Sequence, residues 1–158
     1  MIRAGHGFDA HRLVAGRRLV LGGVEIASEK GLLGHSDGDA LAHAVADALL
    51  GAAALGDLGE RFPESDARWR DADSMLLLGR CAAEVRAAGY GIVNVDATIV
   101  VQSPRMAPHL GAMRANLSAR LEVPLAQISV KAKSSDGMGY TGDGTGVAVY
   151  ATALLETA

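Results

Sequence analysis

The order of strand-like and helix-like segments limits this chain to few architectures. β-branched runs predict strands, Ala- and Leu-rich runs predict helices, and Gly or Pro residues separate them. The predicted strands are 2–8, 18–26 (a pair, or one strand bent at Gly22-Gly23), 94–102, 127–132 and 147–155, and the predicted helices are 39–55, 73–88 and 109–121. We expect loops or irregular structure at 28–39, 57–73 and 136–146. This order lacks a strict βαβ rhythm and predicts an α+β fold, a single-layer mixed β-sheet with helices packed on one face.

The second face of such a sheet also needs cover, and the chain offers little to provide it. The 158 residues suit one domain with its own core. No repeat, linker or low-complexity tract divides them. We therefore expect residues 1–158 to form a single domain that covers its open sheet face in a homo-oligomer.

Charge and hydropathy exclude several functions and locations. A net charge of -3 gives no basic footprint for nucleic acid. Apolar stretches such as Ile99–Val101 are far shorter than the roughly 20 residues of a membrane span. Residues 1–12 lack the apolar run of a signal peptide, and the lone Cys81, expected to pack within a helix, cannot form an intrachain disulfide. These features predict a soluble, cytoplasmic protein without nucleic-acid or membrane partners.

Asp9 and His11 are the first candidates for a metal site. Residues two apart on a strand point to the same side, so this carboxylate and this imidazole can reach one ion. The alternative is a polar strand end with a surface Asp–His hydrogen bond.

The segment His35-Ser36-Asp37-Gly38-Asp39 precedes an apolar helix that carries His43. One interpretation is an N-cap formed by Asp37 or Asp39. His43 has carboxylates one turn away on each side, at Asp39 and Asp47, and a metal-bound imidazole usually donates its second N–H to such a group. A satisfied core histidine is the other interpretation. Together Asp9, His11 and His43 would form a three-ligand, nitrogen-rich set that favours catalytic Zn²⁺.

A second polar segment, Ser134-Ser135-Asp136, follows a strand with Lys131 and Lys133. Hydroxyl groups, backbone N–H groups and a lysine can surround a phosphate, and the aspartate can hold Mg²⁺ beside it. The following glycine-rich segment, 137–146, matches neither a P-loop nor a Rossmann fingerprint, and a plain glycine-rich loop explains it equally well. No enzyme nucleophile is evident, so we expect metal-assisted transfer by positioning and charge neutralisation.

Several segments resemble one known family over essentially the whole chain. They are GHGFDAH (5–11), GLLGHSDGDALAHAVADALLGAAALGDLGERFPESD (31–66), NVDATIV (94–100), SPRMAPH (103–109) and VKAKSSDGMGYTGDGTG (130–146). The chain is similar to the cyclodiphosphate synthases of the non-mevalonate isoprenoid pathway, which are phosphorus-oxygen lyases. The resemblance implies that 4-diphosphocytidyl-2-C-methyl-D-erythritol 2-phosphate is cyclised with release of CMP. It also implies a homotrimer with active sites between neighbouring subunits.

The same resemblance implies the site residues. Zn²⁺ or another divalent cation would bind to Asp9, His11 and His43, and Mg²⁺ or Mn²⁺ would face Asp136. Asp9 and His11 would also contact the substrate. His35 and Ser134 would be catalytic. The substrate would further contact His35, Ser36, Asp57, Gly59, Phe62, Pro63, Glu64, Ser65, Asp66, Ser103, Pro104, Arg105, Met106, Ala107, Lys133, Ser134, Ser135, Asp136 and Tyr140.

Four positions depart from many relatives. Ser134 replaces Thr and keeps the hydroxyl, whereas Asp136 replaces Glu with a shorter arm. Asp143 replaces Arg and Thr145 replaces Glu near the three-fold axis. Because the positive charge of that arginine is lost, we do not expect isoprenoid diphosphates to bind near the three-fold axis.

Two other functions fit the same residues. A zinc hydrolase could use the Asp-His-His set to activate water, with His35 as base. A trimeric binding scaffold could use the metal as a structural staple. Release of CMP without a cyclic product would indicate the first, and absence of turnover the second.

Overall fold

A five-stranded mixed sheet carries the helices on one of its faces. The computed structural model describes residues 1–158 and places the strands in the order β4-β1-β7-β5-β6, with β2 and β3 forming a separate hairpin. Only the β5–β6 pair is parallel. The strands are β1 (Ile2–Ala15), β2 (Leu19–Leu21), β3 (Val24–Ile26), β4 (Lys30–Leu32), β5 (Tyr90–Val100), β6 (Ile128–Lys133) and β7 (Gly146–Thr157). The predicted α+β class with a mixed sheet is confirmed.

Three long helices cover the sheet, and two helices are single turns. They are α1 (Ala40–Ala52), α2 (Leu58–Arg61), α3 (Ser74–Ala87), α4 (Leu110–Leu121) and α5 (Gly139–Gly142), with 3₁₀ turns at Ala67–Trp69, Ala107–His109 and Leu125–Gln127. Helix α1 packs on β1 and β7, α3 packs on α1, and α4 packs on α3 and β6. None of the helices is long and apolar enough to cross a membrane.

The structure is more regular than the sequence predicts in four places. β1 extends to Ala15 because its backbone pairs with β7 as far as Arg12 and then with β4 from Leu13 to Ala15. β4 lies within the predicted loop 28–39, and α2 and a 3₁₀ turn lie within the predicted irregular segment 57–73. The prediction that 136–146 holds no regular structure is wrong, since α5 forms there and Ser135 is hydrogen-bonded to its Thr141 at 2.7 Å. Strand pairing and tertiary contacts stabilise these segments, and the local residue pattern does not reveal such contacts.

Asp39 starts helix α1 and joins it to the β2–β3 hairpin. Its carboxylate accepts the N–H of Ala42 at 3.0 Å, which is the predicted N-cap. It also accepts the N–H groups of Gly22 and Gly23 at 2.9 and 2.8 Å. The side chain is fully buried, so these three donors replace the water that the carboxylate has lost.

The core lies between the sheet and α1, α3 and α4. Helix α1 is apolar on nearly every side because it is enclosed by the sheet below and by α3 above. The predicted packing of Cys81 is confirmed, since the residue is buried and burial raises the pKa of its thiol to about 12. A thiol with this pKa stays protonated and behaves as a small apolar side chain.

Helix α1 approaches β1 closely because two strand residues have no side chain. Gly5 and Gly7 face the helix, and a Cβ at either position would overlap the carbonyl oxygen of Ala48 or Ala44. The opposite sheet face has no cover within the chain. It exposes Ile2, Phe8 and Tyr150, and the rings of the last two lie 5.2 Å apart.

We predict that Gly7→Ala lowers the free energy of unfolding by about 3 kcal/mol, because the added methyl forces α1 away from β1. Gly51→Ala is the matched control, since its Cβ would meet only the His6 carbonyl oxygen, at 3.9 Å. We expect that change to raise stability by about 0.5–1 kcal/mol through helix propensity. Urea denaturation measures both, and equal effects would contradict the close-contact argument.

Candidate metal centre and adjoining cavities

The three predicted metal ligands lie beyond the glycine contact, at the interface of β1 and α1. Asp9 and His11 follow Gly5 and Gly7 on the strand face that points to the helix, because side chains alternate along a strand. His43 directly precedes Ala44, the helix residue that touches Gly7. Because the backbones of α1 and β1 lie so close, the imidazole of His43 lies over the side chains of Asp9 and His11.

The ligand atoms of these residues converge on one point. Asp9 Oδ2 lies 2.8 Å from His11 Nε2 and 3.0 Å from His43 Nδ1. The two imidazole nitrogens are 3.3 Å apart. Ligands at zinc distances of about 2.0–2.1 Å are separated by roughly 3.3 Å in a tetrahedron. The three atoms thus have nearly the spacing of one face of a tetrahedral metal site.

His11 is held in the tautomer that a metal ligand needs. Its Nδ1 lies 2.7 Å from the carbonyl oxygen of Leu33. A carbonyl oxygen only accepts, so Nδ1 carries the proton and the Nε2 lone pair points toward Asp9 and His43. Hydrogen bonding at the outer nitrogen is the usual arrangement for a ligating histidine.

His43 does not use the neighbouring carboxylates that the sequence suggested. Its Nε2 lies 2.7 Å from Ser74 Oγ and 3.2 Å from Ser36 Oγ. Asp39 is occupied as the cap of α1, and Asp47 accepts the N–H of Leu58 at 2.8 Å. The outer partner of His43 therefore comes from the start of α3, which no helical spacing could indicate.

The electrostatics of the group favour a cation. Burial alone would raise the pKa of Asp9, but the neighbouring imidazoles of His11 and His43 outweigh it, and the pKa lies below its usual value. Burial alone would lower the pKa of His11, yet the bond to Asp9 raises it. Two nitrogen lone pairs facing one carboxylate repel each other unless a proton or a metal ion lies among them, so these residues fit a divalent cation.

A cavity of about 210 Å³ opens onto these ligands. It gathers many of the predicted substrate contacts, namely His35, Ser36, Gly59, Phe62 and Glu64. Its lining also includes residues that the sequence reasoning missed, namely Asp47, Leu58, Trp69 and Leu77. Only the helical spacing of Asp47 and Leu77 could have suggested that they face inward.

The loop that carries His35 and Ser36 is fixed by an arginine from the end of the long strand. The guanidinium of Arg17 donates to the carbonyl oxygens of Leu32, Gly34 and Ser36 at 3.0, 3.3 and 3.2 Å. The ring N–H of His35 donates to the backbone oxygen of Asp66 at 3.3 Å. The loop is thus clamped on both sides, which holds the imidazole at the cavity.

Two aromatic rings form one wall of this cavity. Phe62 and Trp69 meet edge to face, with centroids 4.9 Å apart. The guanidinium groups of Arg68 and Arg80 lie 5.4 and 5.3 Å from the Trp69 centroid. The segment predicted to be a substrate loop therefore rests on a tryptophan that holds it against α3.

The remaining predicted residues gather mainly in a second cavity, of about 250 Å³. Its lining includes Pro104, Arg105, Met106, Ala107, Lys133 and Ser134, together with Val101, Gln102, Leu110 and Ala132. Ser103 precedes this group through a cis peptide bond to Pro104. The loop after β6 is held nearby, since Gln102 accepts the N–H of Gly137 at 3.2 Å.

Other predicted residues line neither cavity. Asp57 and Asp66 serve as N-caps, accepting the N–H groups of Glu60 and Arg68. Asp136 accepts the hydroxyl proton of Ser134 at 3.2 Å. Pro63, Ser65, Ser103, Ser135 and Asp136 also lie outside both linings, and Tyr140 borders a cavity of about 190 Å³ with Ala10, His11, Arg12, Thr145 and Gly146.

Thr145 and Asp143 hold each other at the edge of that third cavity. The hydroxyl of Thr145 donates to Asp143 at 2.7 Å, and its backbone N–H donates at 2.9 Å. These two bonds lower the pKa of the Asp143 carboxyl, which stays ionised. The pair therefore presents a fixed negative charge.

Within one chain, the cavity at the metal ligands and the second cavity lie apart. Across the sheet, Asp9 pairs with Val149, Val149 with Ile99, and Ile99 with Ala132. Three strand spacings separate the first residue from the last by about 14 Å. Lys133 follows Ala132 and points to the opposite face of the sheet. The metal group and the lysine thus lie apart within one chain, on opposite faces of the sheet.

A mixed sheet that presents three converging ligands at the mouth of a cavity defines an α+β enzyme of the metal-centre class. Residues 2–156 match the model of the YgbB family. The chain belongs to the YgbB family.

Two relatives carry the name of the same synthase. The chain is 54% identical over 156 residues to the 2-C-methyl-D-erythritol 2,4-cyclodiphosphate synthase of Burkholderia ambifaria (strain MC40-6), covering 99% of this chain and 97% of the relative. A solved structure of such a synthase in its CDP-bound form is 38% identical with a TM-score of 0.90, covering 98% of this chain and 100% of that one.

A third relative is larger than this chain. The bifunctional IspDF of Campylobacter jejuni superposes with a TM-score of 0.97 at 39% identity. The match covers 100% of this chain but only 43% of the bifunctional one. The chain therefore corresponds to one part of that longer protein.

We predict that His43→Ala abolishes tight zinc binding while the fold survives. Zinc affinity should fall by more than the loss of about 10–100-fold that follows removal of an outer hydrogen-bond partner. The reason is that this substitution removes a ligand itself. Zinc affinity by chelator competition and circular dichroism are the measurements. His109→Ala, which removes an imidazole outside the cavities, is the control. Unchanged zinc affinity in His43→Ala would remove this residue from the ligand set.

Proposed function

We propose that this chain is a phosphorus-oxygen lyase of isoprenoid biosynthesis by the non-mevalonate pathway. It converts 4-diphosphocytidyl-2-C-methyl-D-erythritol 2-phosphate to 2-C-methyl-D-erythritol 2,4-cyclodiphosphate and CMP. The observation that carries this proposal is the Asp-His-His group opening into the cavity that also holds His35 and Ser36. The identity of 54% to a synthase over nearly its full length supports the same reaction.

The reaction needs no nucleophile from the protein. An oxygen of the substrate's 2-phosphate forms a bond to the β-phosphorus, and the bond from that phosphorus to the oxygen shared with the α-phosphate breaks. That oxygen leaves with CMP, and the ring closes. The protein must fold a highly anionic substrate so that its two phosphates meet, and such positioning lowers the barrier of an intramolecular step.

The metal centre supplies positive charge beside the reacting phosphates. Asp9, His11 and His43 would hold Zn²⁺ or another divalent cation, and their donor atoms suit zinc better than Mg²⁺. Mg²⁺ or Mn²⁺ would bind with the substrate diphosphate at Asp136, whose carboxylate is exposed on the loop after β6. When bound, these cations neutralise charge that otherwise keeps the phosphates apart.

His35 and Ser36 would bind the 2-phosphate. Both border the metal cavity, and the clamp formed by Arg17 and Asp66 fixes the loop between them. His35 would stabilise the charge that develops as the ring closes. Ser134 is the second catalytic residue in this proposal, and Lys133 beside it attracts the diphosphate.

The remaining contacts divide by cavity. The methylerythritol unit would meet Asp57, Gly59 and the segment Phe62, Pro63, Glu64, Ser65 and Asp66. Cytosine would lie among Ser103, Pro104, Arg105, Met106 and Ala107, with Ser135 and Tyr140 completing the site. CDP in the related structure supports a nucleotide subsite of this kind.

A homotrimer would unite the two cavities across subunits. The uncovered sheet face with Ile2, Phe8 and Tyr150 is the surface that subunits would share, and the separation of the cavities within one chain supports sites between neighbours. We regard residues 1–158 as a single catalytic domain that acts in the cytoplasm. We also propose that nucleic acid and membrane are not partners, and the net charge of -3 supports the first part of this.

Phosphorus NMR of the purified protein with the cytidylyl substrate and Mg²⁺ tests the reaction. Cyclic diphosphate and CMP should appear together, and a zinc chelator should stop both. CMP with a non-cyclic phosphate would instead identify a hydrolase. Intact substrate with zinc-loaded protein would overturn the enzymatic proposal.

We predict that His35→Ala keeps zinc but lowers kcat by about 100-fold, because a charge-stabilising group leaves the cavity. CMP release measures kcat, and zinc content is measured on the same sample. A kcat within twofold of the unsubstituted protein would remove His35 from the mechanism.

We also predict that light scattering gives a mass three times the 16.2 kDa of one chain. Tyr150→Glu should disrupt the assembly, because a charge would be buried on the shared sheet face. Leu76→Glu, on the solvent side of α3, is the control and should leave the mass unchanged. A monomer mass for the unsubstituted protein would contradict the trimer.

A further inference from the structure

We propose that Asp37 and Ser74 are positioning residues that fix the tautomer of His43, so that its Nδ1 lone pair points into the metal site. The proposal concerns a hydrogen-bonded relay, Asp37–Ser74–His43, which links the turn before α1 to the start of α3. It rests on the metal centre of the proposed function. No local sequence pattern connects these residues, since 31 positions separate His43 from Ser74.

The relay begins with a carboxylate that only accepts. Asp37 takes the hydroxyl proton and the backbone N–H of Ser74, the latter at 3.1 Å, and the N–H of Asp39 at 3.1 Å. The hydroxyl proton of Ser74 is therefore directed at Asp37 and away from His43.

The direction of the Ser74 hydroxyl proton decides which nitrogen of His43 carries the ring proton. With its proton committed, Ser74 Oγ offers only lone pairs to His43 Nε2, which lies 2.7 Å away. Nε2 must then carry the ring proton and donate it. Nδ1, 3.0 Å from Asp9, is left with its lone pair pointing at the ligand group.

The two histidines thus ligate through opposite nitrogens, and each is fixed from behind in a different way. His11 donates Nδ1–H to a backbone carbonyl, which cannot reverse its role. His43 faces a hydroxyl, which can donate or accept, so a carboxylate is needed to set the polarity of that hydroxyl. This difference explains why Asp37 is required behind Ser74.

Ser36 cannot replace Ser74 in this role. Its Oγ is 3.2 Å from His43 Nε2, but no carboxylate fixes its proton, so it can approach the ring as donor or acceptor. Its proton can instead be directed to Ser74 Oγ, also 3.2 Å away, or to an anion in the cavity. The relay therefore orients His43 through Ser74. The hydroxyl proton of Ser36, a predicted phosphate contact, stays available for another acceptor.

Nitrogen NMR of the metal-free, ¹⁵N-labelled protein tests the tautomer directly. We expect the ring proton of His43 on Nε2 in the unsubstituted protein and a mixture of tautomers in Ser74→Ala. A ring proton on Nδ1 in the unsubstituted protein would overturn the proposal.

Zinc affinity, measured by chelator competition, is the second test. Ser74→Ala should lose about 10–100-fold, the usual effect of removing an outer partner of a ligating histidine. Ser74→Thr, which keeps the hydroxyl, should recover most of the loss. Asp73→Ala removes the N-cap bond to Met75, 2.9 Å long, but leaves the relay intact. It should lower the melting temperature and keep the affinity.

The outcomes separate this proposal from the proposed function. If Ser74→Ala binds zinc within twofold of the unsubstituted protein, or if Asp73→Ala loses as much affinity, the relay is only a structural contact and the proposal fails. Cyclisation would then still stand on its own assay. A missing cyclic product, with the expected NMR and zinc results, would instead remove the reaction and leave the relay.

Discussion

The close approach of α1 to β1 is the constraint on which the metal centre depends. Gly5 and Gly7 leave room for the helix backbone, and this contact sets both the height and the rotation of α1 above the strand. His43 precedes the contacting Ala44, so its ring reaches Asp9 and His11 without any loop. A metal centre tolerates displacements of only about 0.5 Å. The packing of α1 on β1 and the metal centre therefore both require glycine at positions 5 and 7.

Polar side chains then fasten distant segments to the start of this helix. Asp39 binds the hairpin, Asp37 binds the start of α3, and Arg17 binds the loop before the helix. Each takes backbone groups that would otherwise lie buried without partners. The turn that supplies His35 and Ser36 is thus held from three directions, which keeps a loop as rigid as the elements around it.

The sequence predicts much of this, and its failures have physical reasons. Period-two spacing pairs Asp9 with His11, and Asp39 is recognisable as a cap, because both depend on neighbouring residues. The relay through Ser74 and the length of β1 depend on tertiary contacts, which no window reveals. The resemblance names many members of both cavities, but not wall residues such as Trp69 or Gln102. Their separation within one chain, about three strand spacings, follows from the strand register.

The wall built from Phe62 and Trp69 gives the molecule an optical property. Trp69 is the only tryptophan of the chain, so all indole emission originates beside the metal cavity. Its ring is flanked by two guanidinium groups and by the edge of a benzene ring, which makes its spectrum sensitive to the position of the 62–69 segment. Fluorescence excited selectively at the indole is therefore a single-site signal for occupancy of that cavity.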